Sequence, residues 1–180
     1  MRGRDGRCAS ILALAALAVG CGRGAASGAT GESARVPRIA PPDADDDLRE
    51  VVMRDLIATF GNLEWSSVLG EEAVPVNVLC TGFGEGVDPS DAFMARFTDE
   101  HRVVKASRCR YDEEGGKVRA QPSGLPGMFL YVEDVRREGN RAQAKGSYFY
   151  DGTAAKQDLF LLERDVERWI VKSRTMIWIS

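Results

Sequence analysis

The sequence predicts an α+β domain: one or two helices packed on a curved antiparallel sheet that ends in a four-strand meander. Three observations carry that expectation. Leu48, Val52, Leu56 and Phe60 recur every four residues, with Val51 and Ile57 beside them, which marks one buried helical stripe. The segment from Met128 to Ile179 holds four stretches of alternating apolar and polar residues, rich in Tyr, Phe, Trp, Ile and Val. Short turn sequences separate these stretches, so consecutive strands should pair as antiparallel hairpins.

The chain has 180 residues, a length that holds one ordinary domain and a tail. Its first 20 residues place Arg2, Arg4 and Arg7 before an apolar run from Ile11 to Val19, closed by small residues. A positive start, an apolar stretch of roughly 7–15 residues and a small-residue cleavage site make a secretory signal. The run is about half of the roughly 20 residues that a membrane-spanning helix requires. Leu17-Ala18-Val19-Gly20-Cys21 resembles the lipobox of bacterial lipoproteins. That resemblance implies cleavage before Cys21, a diacylglycerol thioether on its sulfur and acylation of the new amine. Two or more acyl chains anchor a protein stably, whereas one does not. Gly22, where an Asp would signal retention at the inner membrane, implies a position on the outer membrane facing the periplasm. The expected organisation is a signal peptide over 1–20, a lipidated Cys and flexible tether over 21–44, and a single domain over 45–180.

The signal segment holds three Arg and one Asp, and the whole chain carries −3, so the mature chain carries −5. No run of basic residues offers the positive face that nucleic-acid phosphates require, so no nucleic-acid partner is expected. With Cys8 removed and Cys21 acylated, Cys80 and Cys109 remain, and in an oxidising compartment they are expected to form a disulfide. Their surroundings hold neither a CxxC pair nor a nearby His, so no zinc site is expected.

Asp45, Asp46 and Asp47 open the first helix, and Asp47 with Glu50 fits a capping box. Gly61-Asn62 ends it. Val74 to Cys80 alternates as a strand. Thr81-Gly82-Phe83-Gly84-Glu85-Gly86 is a loop, because no GK[ST] follows and Glu85 would repel a phosphate. Asp88-Pro89-Ser90-Asp91 opens a second helix that carries Phe93 and Phe97 on one face. His101 to Arg108 is expected as a strand and residues 111 to 127 as a loop. Strands follow over Met128–Arg136, Arg141–Tyr150, Lys156–Arg164 and Arg168–Ile179. The last carries Trp169, Val171, Ile177 and Ile179 on one alternation and Ile170, Met176 and Trp178 on the other. It is therefore expected to be a core strand, covered on both faces.

Tyr148-Phe149-Tyr150-Asp151-Gly152, Leu161-Leu162-Glu163-Arg164, Trp169-Ile170-Val171 and Met176-Ile177-Trp178-Ile179-Ser180 resemble the C-terminal third of small uncharacterised exported bacterial proteins. A leading helix with a terminal meander is also similar to cystatin-like and NTF2-like cones, an analogy of fold that does not transfer function.

No catalytic, cofactor-binding or metal-binding constellation is expected. The single His, His101, stands between Glu100 and Arg102 with no nucleophile motif near it. Glu71-Glu72 and Glu113-Glu114 belong to solvated loops. The expected function is that of a membrane-anchored envelope lipoprotein with a non-enzymatic protein-binding or assembly domain, of undefined oligomeric state. An NTF2-like pocket for a small ligand is the alternative, and an NTF2-like enzyme a third.

Overall fold

The structure is a computed structural model that describes residues 38–39, 43–61, 64–65, 74–152 and 154–180. The signal segment, Cys21 and most of the predicted tether lie outside the described residues, as do Asn62 and the Glu71-Glu72 pair. The described residues belong to one compact unit that begins at Arg35.

In chain order the elements are β1 (Arg38–Ile39), α1 (Asp46–Phe60), β2 (Glu64–Trp65), β3 (Val74–Pro75), β4 (Val78–Gly82), β5 (Val87–Asp88), α2 (Asp91–Met94), β6 (Val103–Lys105), β7 (Cys109–Asp112), β8 (Lys117–Ala120), β9 (Gly127–Glu138), β10 (Arg141–Asp151), β11 (Ala154–Asp165) and β12 (Arg168–Ile179). The class is α+β, with two helices against a large curved sheet of order β12-β11-β10-β9-β4-β6. From β9 to β12 each strand pairs antiparallel with the next. β4 pairs in parallel with both β9 and β6, so the sheet is mixed and not antiparallel throughout. For the β4–β6 pair the cause is α2. It carries the chain back between the two strands, and such a crossover returns a strand in the same direction; β9 is parallel to β4 after the longer connection through β6, β7 and β8.

α1 lies on the inner face of the sheet. Leu48, Val52, Met53, Leu56 and Phe60 are buried there against Leu79, Met128, Leu130, Val132, Tyr148 and Phe160. The concave face is therefore filled. Tyr148 and Tyr150 belong to this core, and Phe60 packs on Tyr148 with ring centroids 4.4 Å apart. α1 comes this close because β10 has Gly146 beneath it. A Cβ there would meet Phe160 Cε2 at 2.6 Å and Val52 Cγ1 at 3.1 Å. Gly146→Ala should destabilise the domain by about 1–3 kcal/mol through overpacking, read as a lower urea midpoint. An unchanged midpoint would show that α1 can lift off the sheet freely.

Several expectations are corrected. The acidic triplet forms no capping box, and the N-cap Asp45 accepts no side-chain capping bond. Asp47 and Glu50 instead bind Arg96 Nη1 at 2.7 and 3.1 Å, and Arg54 binds Glu50 and Asp99. These pairs tie α2 and the 3₁₀ turn that follows it to α1. Ser90 caps α2, accepting from the Phe93 N–H, so Pro89 lies just before the helix and not within it. The strand expected over His101–Arg108 is cut to β6, followed by a 3₁₀ turn over Ala106–Arg108. Residues 111–127, expected as a loop, contain most of the β7–β8 hairpin. It lies over a second, smaller core of Val78, Cys80, Val118 and Ala120, with Phe129, Phe149 and Tyr111 at its margin. Cys80 and Cys109 form the disulfide that fastens this hairpin to β4, with Cα atoms 6.1 Å apart.

The largest correction concerns β12. It is an edge strand, paired with β11 alone among the described residues.

Candidate functional site

Two β-bulges in β12 decide which of its side chains face outward. Leu162 pairs with Val171 and Leu161 with Ser173, so Lys172 is an extra residue. Asp158 pairs with Met176 and Gln157 with Trp178, so Ile177 is another. Each bulge inserts one residue and shifts the alternation by one. Residues directly opposite one another share a sheet face. Through Tyr148, Gly146 and Ala144 of β10, the inner face runs across Lys156, Asp158, Phe160 and Leu162. It then continues onto Ile179, Met176, Arg174 and Val171 of β12, while Trp178 lies with Gln157 on the outer face.

Trp169 is consequently buried, and Arg174 turns inward where a period of two would have placed it out. Arg174 lies beside the last turn of α1. Its Nη1 donates to Asp55 Oδ2 at 3.1 Å and to Thr59 Oγ1 at 3.0 Å, and its Nε donates to Asp158 Oδ2 at 2.6 Å. The guanidinium stacks over Phe60 and Phe160, 4.7 and 5.2 Å from their ring centroids. Lys156 Nζ sits 3.1 Å from Asp158 Oδ1, an ion contact outside hydrogen-bond geometry. Asp158 itself is 1 % exposed. Burial, and next the charge of Asp158, push the nearby Tyr148 hydroxyl above its usual pKa.

Phe60, the last residue of α1, packs against Arg174 and Tyr148, yet the end of β12 is left open to solvent. Met176, Ile177, Trp178 and Ile179 are 50 to 58 % exposed. Four consecutive large apolar side chains thus stand in solvent at one corner of the sheet, distributed over both faces and the edge. Leu161, on the outer face of β11, is exposed as well. Exposed apolar residues scattered singly need no explanation, whereas a contiguous group on an edge strand is a docking or aggregation surface.

The other candidates remain apart. His101 is exposed beside β6, at the opposite edge of the sheet. Its neighbours Glu100 and Arg102 pair with each other at 2.8 Å, and that pairing holds the Glu100 carboxyl below its ordinary pKa. Glu113 and Glu114 are exposed in the β7–β8 turn. Among the described residues no three His, Cys, Asp or Glu side chains converge as a cation would require. A surface cleft of about 260 Å³ is lined by Arg49, Phe83, Glu133 and Asp134 among others, and a second of about 150 Å³ by Arg136, Arg141 and Leu161 among others. Neither is lined by a His, Ser or Cys. Tyr148, Tyr150 and Trp178, which could have framed a ligand pocket, do not converge: two are core residues and the third is on the far face.

Sequence reasoning found the apolar residues of β12 and missed their exposure. It also missed the Asp55–Asp158–Arg174 cluster. The available signal was Arg174 itself, a cation set between apolar stretches of the strand. Comparison with known protein families, curated proteins and solved structures finds no match to this chain.

Proposed function

We propose that this chain is an exported lipoprotein, anchored through acylated Cys21 on the outer membrane and facing the periplasm. Its folded domain acts there as a non-enzymatic docking module for another envelope protein. The observation that supports docking is the exposed strip Met176–Ile179 on the edge strand β12. Filling of the concave face by α1 weighs against the small-ligand pocket, and the isolation of His101 weighs against an enzyme. The basis for export and anchoring is the charged, apolar and small-residue order of the first 21 residues.

Two measurements test the two halves of this proposal. Mass analysis of membrane-extracted protein should show a chain beginning at an acylated Cys21, and Cys21→Ser should release it from the membrane. A Cys21→Ser variant that stays membrane-bound sinks the anchor. A photo-crosslinking residue placed at Trp178 in cells should give a discrete adduct with one envelope protein. The adduct should disappear with Ile179→Ser and be absent with the same residue at Glu113. Equal labelling from both positions would refute docking through β12.

A further inference from the structure

Accepting that β12 docks another protein, we infer the chemistry of that partner: a short extended segment whose apolar residues precede its acidic ones. β12 carries Arg168, Lys172 and Arg174 and no carboxylate. Arg174 is turned inward onto Asp158 and Asp55. Arg168 is exposed opposite Asp165, and the Lys172 side chain is 55 % exposed, with a 3.8 Å contact to Glu163 as its ion pair among the described residues. A strand laid along this edge has β12 residues as its direct cross-strand neighbours, and opposite charges there attract. It therefore meets cations along the first half of β12 and apolar side chains along Met176–Ile179. Lys172 and Met176 are four residues apart, about 13 Å along a strand.

Every pairing from β9 to β12 is antiparallel, and antiparallel ladders are the more stable per residue. An incoming antiparallel segment runs opposite to β12. Its apolar part then comes first and its acidic part second. The bulges at Lys172 and Ile177 break the backbone ladder into short runs, so side chains carry much of the recognition.

The same features argue against two other occupants. A second β12 paired antiparallel over most of its length would bring Lys172 of both copies near the centre, where like charges repel. A lipid surface is disfavoured by position. The chain joins the domain at β1, which pairs with β5 just after β4, on the far side of the sheet from β12. At about 4.8 Å per strand, the order β12 to β6 spans about 24 Å.

The test uses the mature chain purified from expressing cells, titrated with synthetic peptides by fluorescence anisotropy. One peptide has Ile, Val and Phe before Asp and Glu, a second has the reverse order, and a third has Lys in place of the acids. The first should bind about fivefold tighter than either of the others. Lys172→Glu should transfer the preference to the Lys peptide, and Trp178→Ser should abolish binding while the circular dichroism spectrum is kept. If Trp178→Ser proves unstable, Ile177→Ser serves the same purpose. Binding that depends on Trp178 but ignores charge and order overturns this inference and leaves docking intact. Self-association lost in Trp178→Ser assigns the strip to a second copy and overturns it too. No peptide binding, with fluorescence quenching by brominated phosphatidylcholine vesicles that Trp178→Ser removes, overturns the inference and the docking proposal together.

Discussion

Asp158→Ala should lose about 3–5 kcal/mol of unfolding free energy in urea, the usual cost of removing one partner from a buried ion pair. That is a large share of the about 5–15 kcal/mol that holds a domain of this kind together. Asp158 accepts from Arg174 Nε at 2.6 Å and has Lys156 at 3.1 Å. Its removal leaves two cations, Lys156 and Arg174, both beside the Phe60 ring, with Asp55 as the remaining carboxylate at Arg174. The pair Asp158→Leu with Arg174→Met should recover much of the loss, because apolar residues of similar volume replace a buried ion pair at little cost. A loss below about 1 kcal/mol in the single variant would mean that solvent reaches the cluster and screens it as at a surface.

Cys80→Ala with Cys109→Ala should cost about 3.6 kcal/mol. The bridge spans 29 residues, and loop-closure entropy of the unfolded chain gives that figure. At about 2–4 °C per kcal/mol for a domain of this size, the melting temperature should fall by about 10 °C. Protease cutting should appear first in the β7–β8 hairpin, because the bridge fastens that hairpin to β4. A melting temperature unchanged in the double variant, with no new cleavage, would show that the packing of Val118 and Ala120 holds the hairpin without the covalent tie.

The strands from β9 to β12 were legible because their order is local. Alternation set each strand, and Gly139 at φ 60° made the first turn between them. The apolar face of α1 was legible for the same reason, since its period of 3.6 can be counted along a single stretch. What failed depended on distant residues. The parallel pairing of Val78 with Gly127 crosses 49 positions and leaves no mark in the sequence of either strand. Asp47 and Glu50 matched a local capping pattern, but Arg96, far along the chain, supplies a stronger partner for both. The bulges at Lys172 and Ile177 defeated the alternation of β12. The expectation covered β12 on both faces, but the inserted residues turn Arg174 onto the inner face, and Ile177, itself an inserted residue, is left half exposed. The apolar ending was thus identified correctly by residue type and assigned to the wrong environment. The candidate surface consists of that difference.

The hydrogen bond from Arg174 to Asp55 joins residues 119 positions apart, and this has a kinetic consequence. The hairpins β9–β10, β10–β11 and β11–β12 close over short loops and can form quickly, whereas helix α1 has no sheet to rest on until they exist. The fastening of its last turn needs a side chain from the final strand. A chain emerging N-terminus first holds its Leu48–Phe60 stripe open until β9 and β10 have appeared, and the fastening of its last turn waits for β12. The helix that begins the domain is therefore locked only when the chain's final strand is in place.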